Sequence, residues 1–161
     1  MCRVTFMVLI VIFCFSALFA QTRNSSIIIN YTVPEVISVT INEPSRDLNL
    51  NYGGAGGSIY DAREVNATYN ISVQSTRTKN LLAHLNQNMP NHINLELRAV
   101  APNVGSSNGF VSLTTSPRIL VSGINNVHQK NLLLNFRLRA DLGAPATPTP
   151  QTRVVTLTIS D

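Results

Sequence analysis

Val65-Asn66-Ala67-Thr68-Tyr69-Asn70-Ile71-Ser72-Val73 alternates apolar and polar side chains without a break. A period of two places Val65, Ala67, Tyr69, Ile71 and Val73 on one face of an extended chain, and Asn66, Thr68, Asn70 and Ser72 on the other. A helix face would repeat at three and four instead. The stretch reads as a β-strand with one face buried, and the same pattern recurs on both sides of it.

Toward the N-terminus, Ile27, Ile29, Tyr31 and Val33 share one face of a first strand. Pro34 breaks it, and Ile37, Val39 and Ile41 then oppose Val36, Ser38 and Thr40; Leu48 and Leu50 mark a short third strand. Toward the C-terminus, Ile93, Leu95, Leu97 and Ala99 alternate with Asn94, Glu96, Arg98 and Val100. Residues 110–113 and 119–121 are short apolar runs. Leu132, Leu134, Phe136, Leu138 and Ala140 line a long strand, and Val155, Leu157 and Ile159 alternate with Val154, Thr156 and Thr158 in the last. Residues 80–86, with Leu81, Leu82 and Leu85, suit a helix or a strand, and Pro90 closes the segment either way. About eight or nine strands at regular spacing with turn residues between them predict an all-β sandwich or barrel. Residues 52–58 form a glycine-rich loop and residues 143–150 a stiffer Pro-rich connection, neither long enough to separate domains.

Residues 1–20 read as a secretory signal peptide. Arg3 supplies the positive start, residues 4–15 are apolar apart from Thr5, and Ser16, Ala17 and Ala20 are the small residues near a cut after Ala20 or Ala17. The run is shorter than the roughly 20 apolar residues that span a bilayer, so no integral membrane segment is expected after cleavage. Both cysteines, Cys2 and Cys14, fall inside this segment. The exported form is therefore expected to fold without disulfides, as one domain of about 140 residues, a length sufficient for a core of its own.

Charge and chemistry exclude more than they suggest. The net charge of +4 comes from a chain only 12% charged, with Lys79 and Lys130 as its only lysines and arginines that do not cluster, which is not the footprint of a nucleic-acid binder. His84, His92 and His128 lack the close pairing that puts two imidazoles on one metal. Asp47, Asp61 and Glu64 flank the glycine loop without the spaced ligands of a calcium loop. The glycine loop leads into another strand rather than a helix and contains no Lys, so it is no phosphate cradle. The eight carboxylates come without the Trp that commonly grips sugar rings in glycoside hydrolases. No catalytic, cofactor or metal site is expected.

The segment with more content is Ser26-Ile27-Ile28-Ile29-Asn30-Tyr31-Thr32-Val33, a β-branched apolar strand just after the signal, behind the polar leader 21–25. It either opens its own sheet or is donated to a neighbour. In the second case main-chain hydrogen bonds supply affinity and alternate side chains fill an acceptor's core.

Several segments together resemble secreted bacterial proteins related to spore coat protein U and to chaperone-assembled pilin-like subunits. They are residues 79–97, with Leu81-Leu82-Ala83-His84-Leu85 and Met89-Pro90-Asn91-His92-Ile93-Asn94-Leu95; Ala99-Val100-Ala101-Pro102; Ser106-Ser107-Asn108-Gly109; Val121-Ser122-Gly123-Ile124; and the terminal residues 153–160. The resemblance implies an immunoglobulin-like (pilin-like) β-sandwich over residues 34–161, preceded by an N-terminal extension strand within 21–33. It also implies a cell-surface fibre or coat assembled from copies of the chain, with a periplasmic chaperone and an outer-membrane usher as further partners. The chain departs from many pilin-like relatives in offering no disulfide. The residues expected at the subunit interface are Ile27, Ile29, Tyr31 and Val33 on the donor strand, and Val155, Leu157 and Ile159 on a strand bordering the acceptor groove. The alternative reading is a monomeric secreted binding module taking a carbohydrate or a cell-surface protein through Tyr52, Tyr60 and the loops between strands.

Overall fold

In a computed structural model, which describes residues 27–43, 45–48, 60–141, 143–145 and 149–161, the alternating segments from Pro34 onward pair into two sheets that share one core. The expected signal segment 1–20, the glycine-rich loop with Tyr52, and Leu50 lie outside the described residues.

Among the described residues nine strands form: β1 (Val36–Ile41), β2 (Tyr60–Gln74), β3 (Lys79–Leu85), β4 (Ile93–Ala99), β5 (Ser106–Ser107), β6 (Val111–Ser112), β7 (Arg118–Ile124), β8 (Val127–Ala140) and β9 (Val155–Ser160). One sheet has the order β1-β2-β8-β4-β6 and the other β5-β7-β3-β9. Every pairing is antiparallel, and no helix occurs among the described residues. The chain is thus all-β, with two antiparallel sheets arranged consistently with a β-sandwich.

The periodicity of two explains why these residues face inward. Across the first sheet, Val39 pairs with Ile71, Tyr69 with Leu132, Val65 with Phe136 and Leu97 with Phe136. Directly paired residues of an antiparallel ladder share a face, so one alternate set from each strand converges on the core. Tyr69, Ile71, Leu97 and Leu134 come from this sheet, and Leu81, Leu85, Leu120 and Ile124 from the other; all are fully buried.

The segment 80–86, open to either reading in the sequence, is strand as far as Leu85: Lys79, Leu81, Ala83 and Leu85 face in while Asn80, Leu82 and His84 face out. Leu82 blurs the pattern because an apolar residue occupies an outward position. The expected strand at Leu48 is not formed, and Leu48 packs on the core from a loop. Ser106–Ser107, which has no apolar alternation, becomes β5 because its backbone finds β7.

Two turns depend on backbone that few residues accept. Asn126 (φ 43°) makes the tight β7–β8 turn, and its Oδ1 accepts from the Ser75 amide at 3.2 Å; asparagine tolerates this left-handed conformation better than other side chains do. Gly105 (φ +132°) lies so close to β7 that an added Cβ would sit 3.1 Å from the Ser122 carbonyl oxygen and 3.2 Å from Val121 Cγ1. Strain and crowding act together here. Gly105→Ala is expected to destabilise the fold by about 1–3 kcal/mol, read as a lower urea midpoint with an unchanged slope; an unchanged midpoint would show that the β5 segment shifts freely.

Candidate functional site: an open seam between two edge strands

β1 ends one sheet and β9 ends the other. The two strands approach each other at the same side of the structure without pairing, and among the described residues nothing pairs with the outer edge of either. Register fixes which of their side chains face in. Ile37, Val39 and Ile41 stand opposite Val73, Ile71 and Tyr69, while Val155, Leu157 and Ile159 stand opposite Leu85, Ala83 and Leu81. The interior partners are at most 1% exposed. The six edge residues are not so sheltered: Ile37 is 42% exposed, and Val39, Ile41, Val155, Leu157 and Ile159 are half-buried. The core is therefore incompletely covered along this seam.

The opposite side of the structure is finished differently. Its edge strands β5 and β6 are two residues each, a common way to blunt a sheet edge. Phe110, beside β6, is covered by the Arg137 guanidinium at 3.8 Å and that of Arg98 at 4.9 Å from the ring centroid. Arg137 also donates to Glu96 at 2.6 Å, and Arg98 to Asn135 Oδ1 at 3.2 Å. These groups lie on the outward face of the first sheet, where Asn135 donates in turn to Asn66.

The side chains of β9 supply none of the charges, prolines or glycines that usually protect an exposed edge. Val155-Thr156-Leu157-Thr158-Ile159-Ser160 contains no charge, proline or glycine and is rich in β-formers. Its unpaired amides and carbonyls form a template for a further strand. β1, Val36-Ile37-Ser38-Val39-Thr40-Ile41, is similar.

One end of the seam is closed by charge. Lys79 continues the inward series of β3 and is 6% exposed. Its ammonium pairs with Glu35, just before β1, at 3.3 Å, and with Asp161, just after β9. A single cation thus ties the margins of both sheets together. The hydrogen bond with Asp161, together with Glu35, holds the Lys79 ammonium above its usual pKa. The same bond holds the Asp161 carboxyl below its ordinary value, and hydrogen bonds with Ser75 and then Lys79 do so for Glu35.

The expected interface residues divide between two places. Val155, Leu157 and Ile159 border the seam as the inward face of β9. Ile27, Ile29, Tyr31 and Val33 belong to no strand and are 83%, 74%, 84% and 59% exposed. The sequence predicts a strand there; alternation supplies the face of a strand, but a strand exists only when its backbone pairs. Sequence reading missed the other wall, Ile37, Val39 and Ile41, and the closing residue Lys79. The alternation of β1 is plain in the sequence, but nothing in it says that β1 is an edge.

The residues considered for chemistry are dispersed. His84 is on the outward face of β3 with its Nδ1 buried and unpartnered, His92 (φ 66°) is in the turn before β4, and His128 is exposed on β8. Glu64 and Glu96 share Arg137 as an ionic partner. Among the described residues no group of three or more His, Cys, Asp or Glu is placed to hold a metal ion. Tyr60 opens β2, and Tyr52 lies outside the described residues.

Fold and seam together define the class: an all-β chain of two antiparallel sheets whose shared core is open between two edge strands. No protein-family model matches the chain, and a search of curated proteins gave no significant match.

Proposed function

We propose that this protein is a structural subunit of an extracellular fibre or surface coat, polymerising by β-strand donation between copies. The observation that carries the reading is the seam, where six inward-facing apolar residues of β1 and β9 remain partly exposed beside two unpaired strand edges. A strand laid there would satisfy backbone groups on an edge and cover the core at once. Residues 27–33 have the matching form, since Ile27, Ile29, Tyr31 and Val33 are spaced by two and all exposed. Each large apolar side chain inserted would contribute roughly 1.5–3 kcal/mol by burial. The stability that an exported domain without disulfides lacks would then come from its neighbour. Export would follow the signal in residues 1–20, and the sheet arrangement would be the immunoglobulin-like one of pilin-like subunits. A periplasmic chaperone covering the seam before assembly at an outer-membrane usher fits the same surface, because an uncovered edge of this kind aggregates.

The test compares the exported chain with a version lacking residues 21–33, by size-exclusion chromatography and negative-stain electron microscopy. Filaments or large oligomers from the whole chain, replaced by folded monomer on truncation, are the expected result. A folded monomer in both would overturn strand donation and favour a monomeric binding module.

A further inference from the structure

We propose that Lys79, held by Glu35 and Asp161, is the stop that sets the register of the donated strand in the seam. This inference rests on the strand-donation reading and concerns a residue to which that reading gives no part. The apolar floor of the seam is three inward positions long on each wall, Ile37, Val39 and Ile41 on β1 and Val155, Leu157 and Ile159 on β9. The donor segment carries four alternate apolar residues, one more than either wall provides. Alternation alone leaves such a strand free to slide by two residues, because each slide restores the same facing.

Lys79 removes that freedom. It occupies the next inward position of β3 after Leu81, and its ammonium bridges to both walls. Sliding a donor side chain onto this position would place a hydrocarbon against the ammonium and two carboxylates. Their remaining water would be stripped away and no hydrogen bond would replace it. Sliding the other way leaves Ile159 and Ile37 uncovered. One register satisfies both limits. The ion cluster is a positioning device, and Lys79→Met, similar in length and apolar, would turn the stop into a fourth rung.

Register can be read by disulfide trapping between purified chains that begin at Gln21 and so carry no cysteine of their own. One chain carries Asn30→Cys in the donor segment. The other carries Thr156→Cys, Thr158→Cys or Ser160→Cys on the outward side of β9. With Lys79 present, one of the three acceptor positions is expected to trap the donor in preference to its neighbours by about tenfold or more. With Lys79→Met, a second product displaced by two residues should appear at comparable yield, and Lys79→Arg, which keeps the cation, should restore the single product. A single unchanged register in a folded Lys79→Met chain would overturn the stop while leaving donation intact, as would several registers in the unsubstituted protein. Absence of any trapped dimer at all three positions, from chains that remain monomeric, would overturn donation and the stop with it.

Discussion

A chain carrying Ile29→Asp, mixed with one carrying Leu157→Asp, is expected to form heterodimers and nothing longer, while each variant alone stays monomeric. The first substitution puts a carboxylate in the middle of the donor's apolar series; the second puts one in the middle of the inward face of β9, opposite Ala83. Burying an ionised carboxylate in an apolar seam without a partner costs several kcal/mol, so either junction should weaken by a factor on the order of a thousand. The two defects lie on different surfaces. Under strand donation the Leu157→Asp chain still has a donor, and the Ile29→Asp chain still has an acceptor. One junction can therefore form between them, and neither free end can extend it. Because strand donation is a heterologous, head-to-tail contact, this capping follows from its geometry. A symmetric edge-to-edge dimer of β9 strands would be lost with Leu157→Asp and be indifferent to Ile29→Asp. Leu157 is half-buried on an edge, so its replacement should leave a folded monomer, which circular dichroism would verify. Mixed samples that remain monomeric, or either variant assembling alone, would rule the mechanism out.

The second large effect concerns Tyr69, which lies fully buried in β2. Its hydroxyl donates to the Val100 carbonyl at 2.6 Å, tying β2 to the chain leaving β4. Burial raises its pKa from 10.0 to about 12. The consequence for stability has a definite sign. Between those two values the unfolded chain has released this proton and the folded chain still holds it, so the unfolded state binds fewer protons and stability falls as pH rises. The full difference is on the order of 2–3 kcal/mol, lost between about pH 10 and 12 and present below that window. Tyr69→Phe should remove this part of the alkaline decline and cost about 1–3 kcal/mol at neutral pH, because the Val100 carbonyl loses its donor. Tyr69→Ala should cost about 3–5 kcal/mol through the cavity it leaves. Urea unfolding of the three chains at pH 7 and pH 11 measures all of this. Equal alkaline sensitivity in the Tyr and Phe forms would mean that other groups govern it.

Much of the fold is legible in residues 65–73, 93–99 and 155–159, where strict alternation leaves one arrangement that buries every apolar side chain. Legibility fails where alternation is weak or where pairing overrides it. Ser106–Ser107 joins a sheet because β7 passes beside it, and no side-chain pattern announces this. Residues 27–33 are rich in β-formers and yet form no strand among the described residues, because a backbone with no partner has no ladder to join. The inward face of β9, Val155, Leu157 and Ile159, can be named from the sequence as an alternating apolar set. That they are only half-buried depends on β9 ending its sheet.

Lys79 shows the same division most sharply. In the sequence it is one of two lysines, at the start of a segment open to two readings. In the structure it faces inward between two sheets and collects carboxylates from residues 35 and 161, far from it along the chain. The strand character of most of the chain, and which side chains of each strand turn inward, are written locally, because a period of two survives in any β arrangement. Which strands are neighbours, which two are left with a free edge among the described residues, and where the core remains open are set by the packing of the whole fold. Those follow from hydrogen bonds and contacts between segments far apart in the chain, as between β3 and β9 or β1 and β9, whose partners no local pattern specifies.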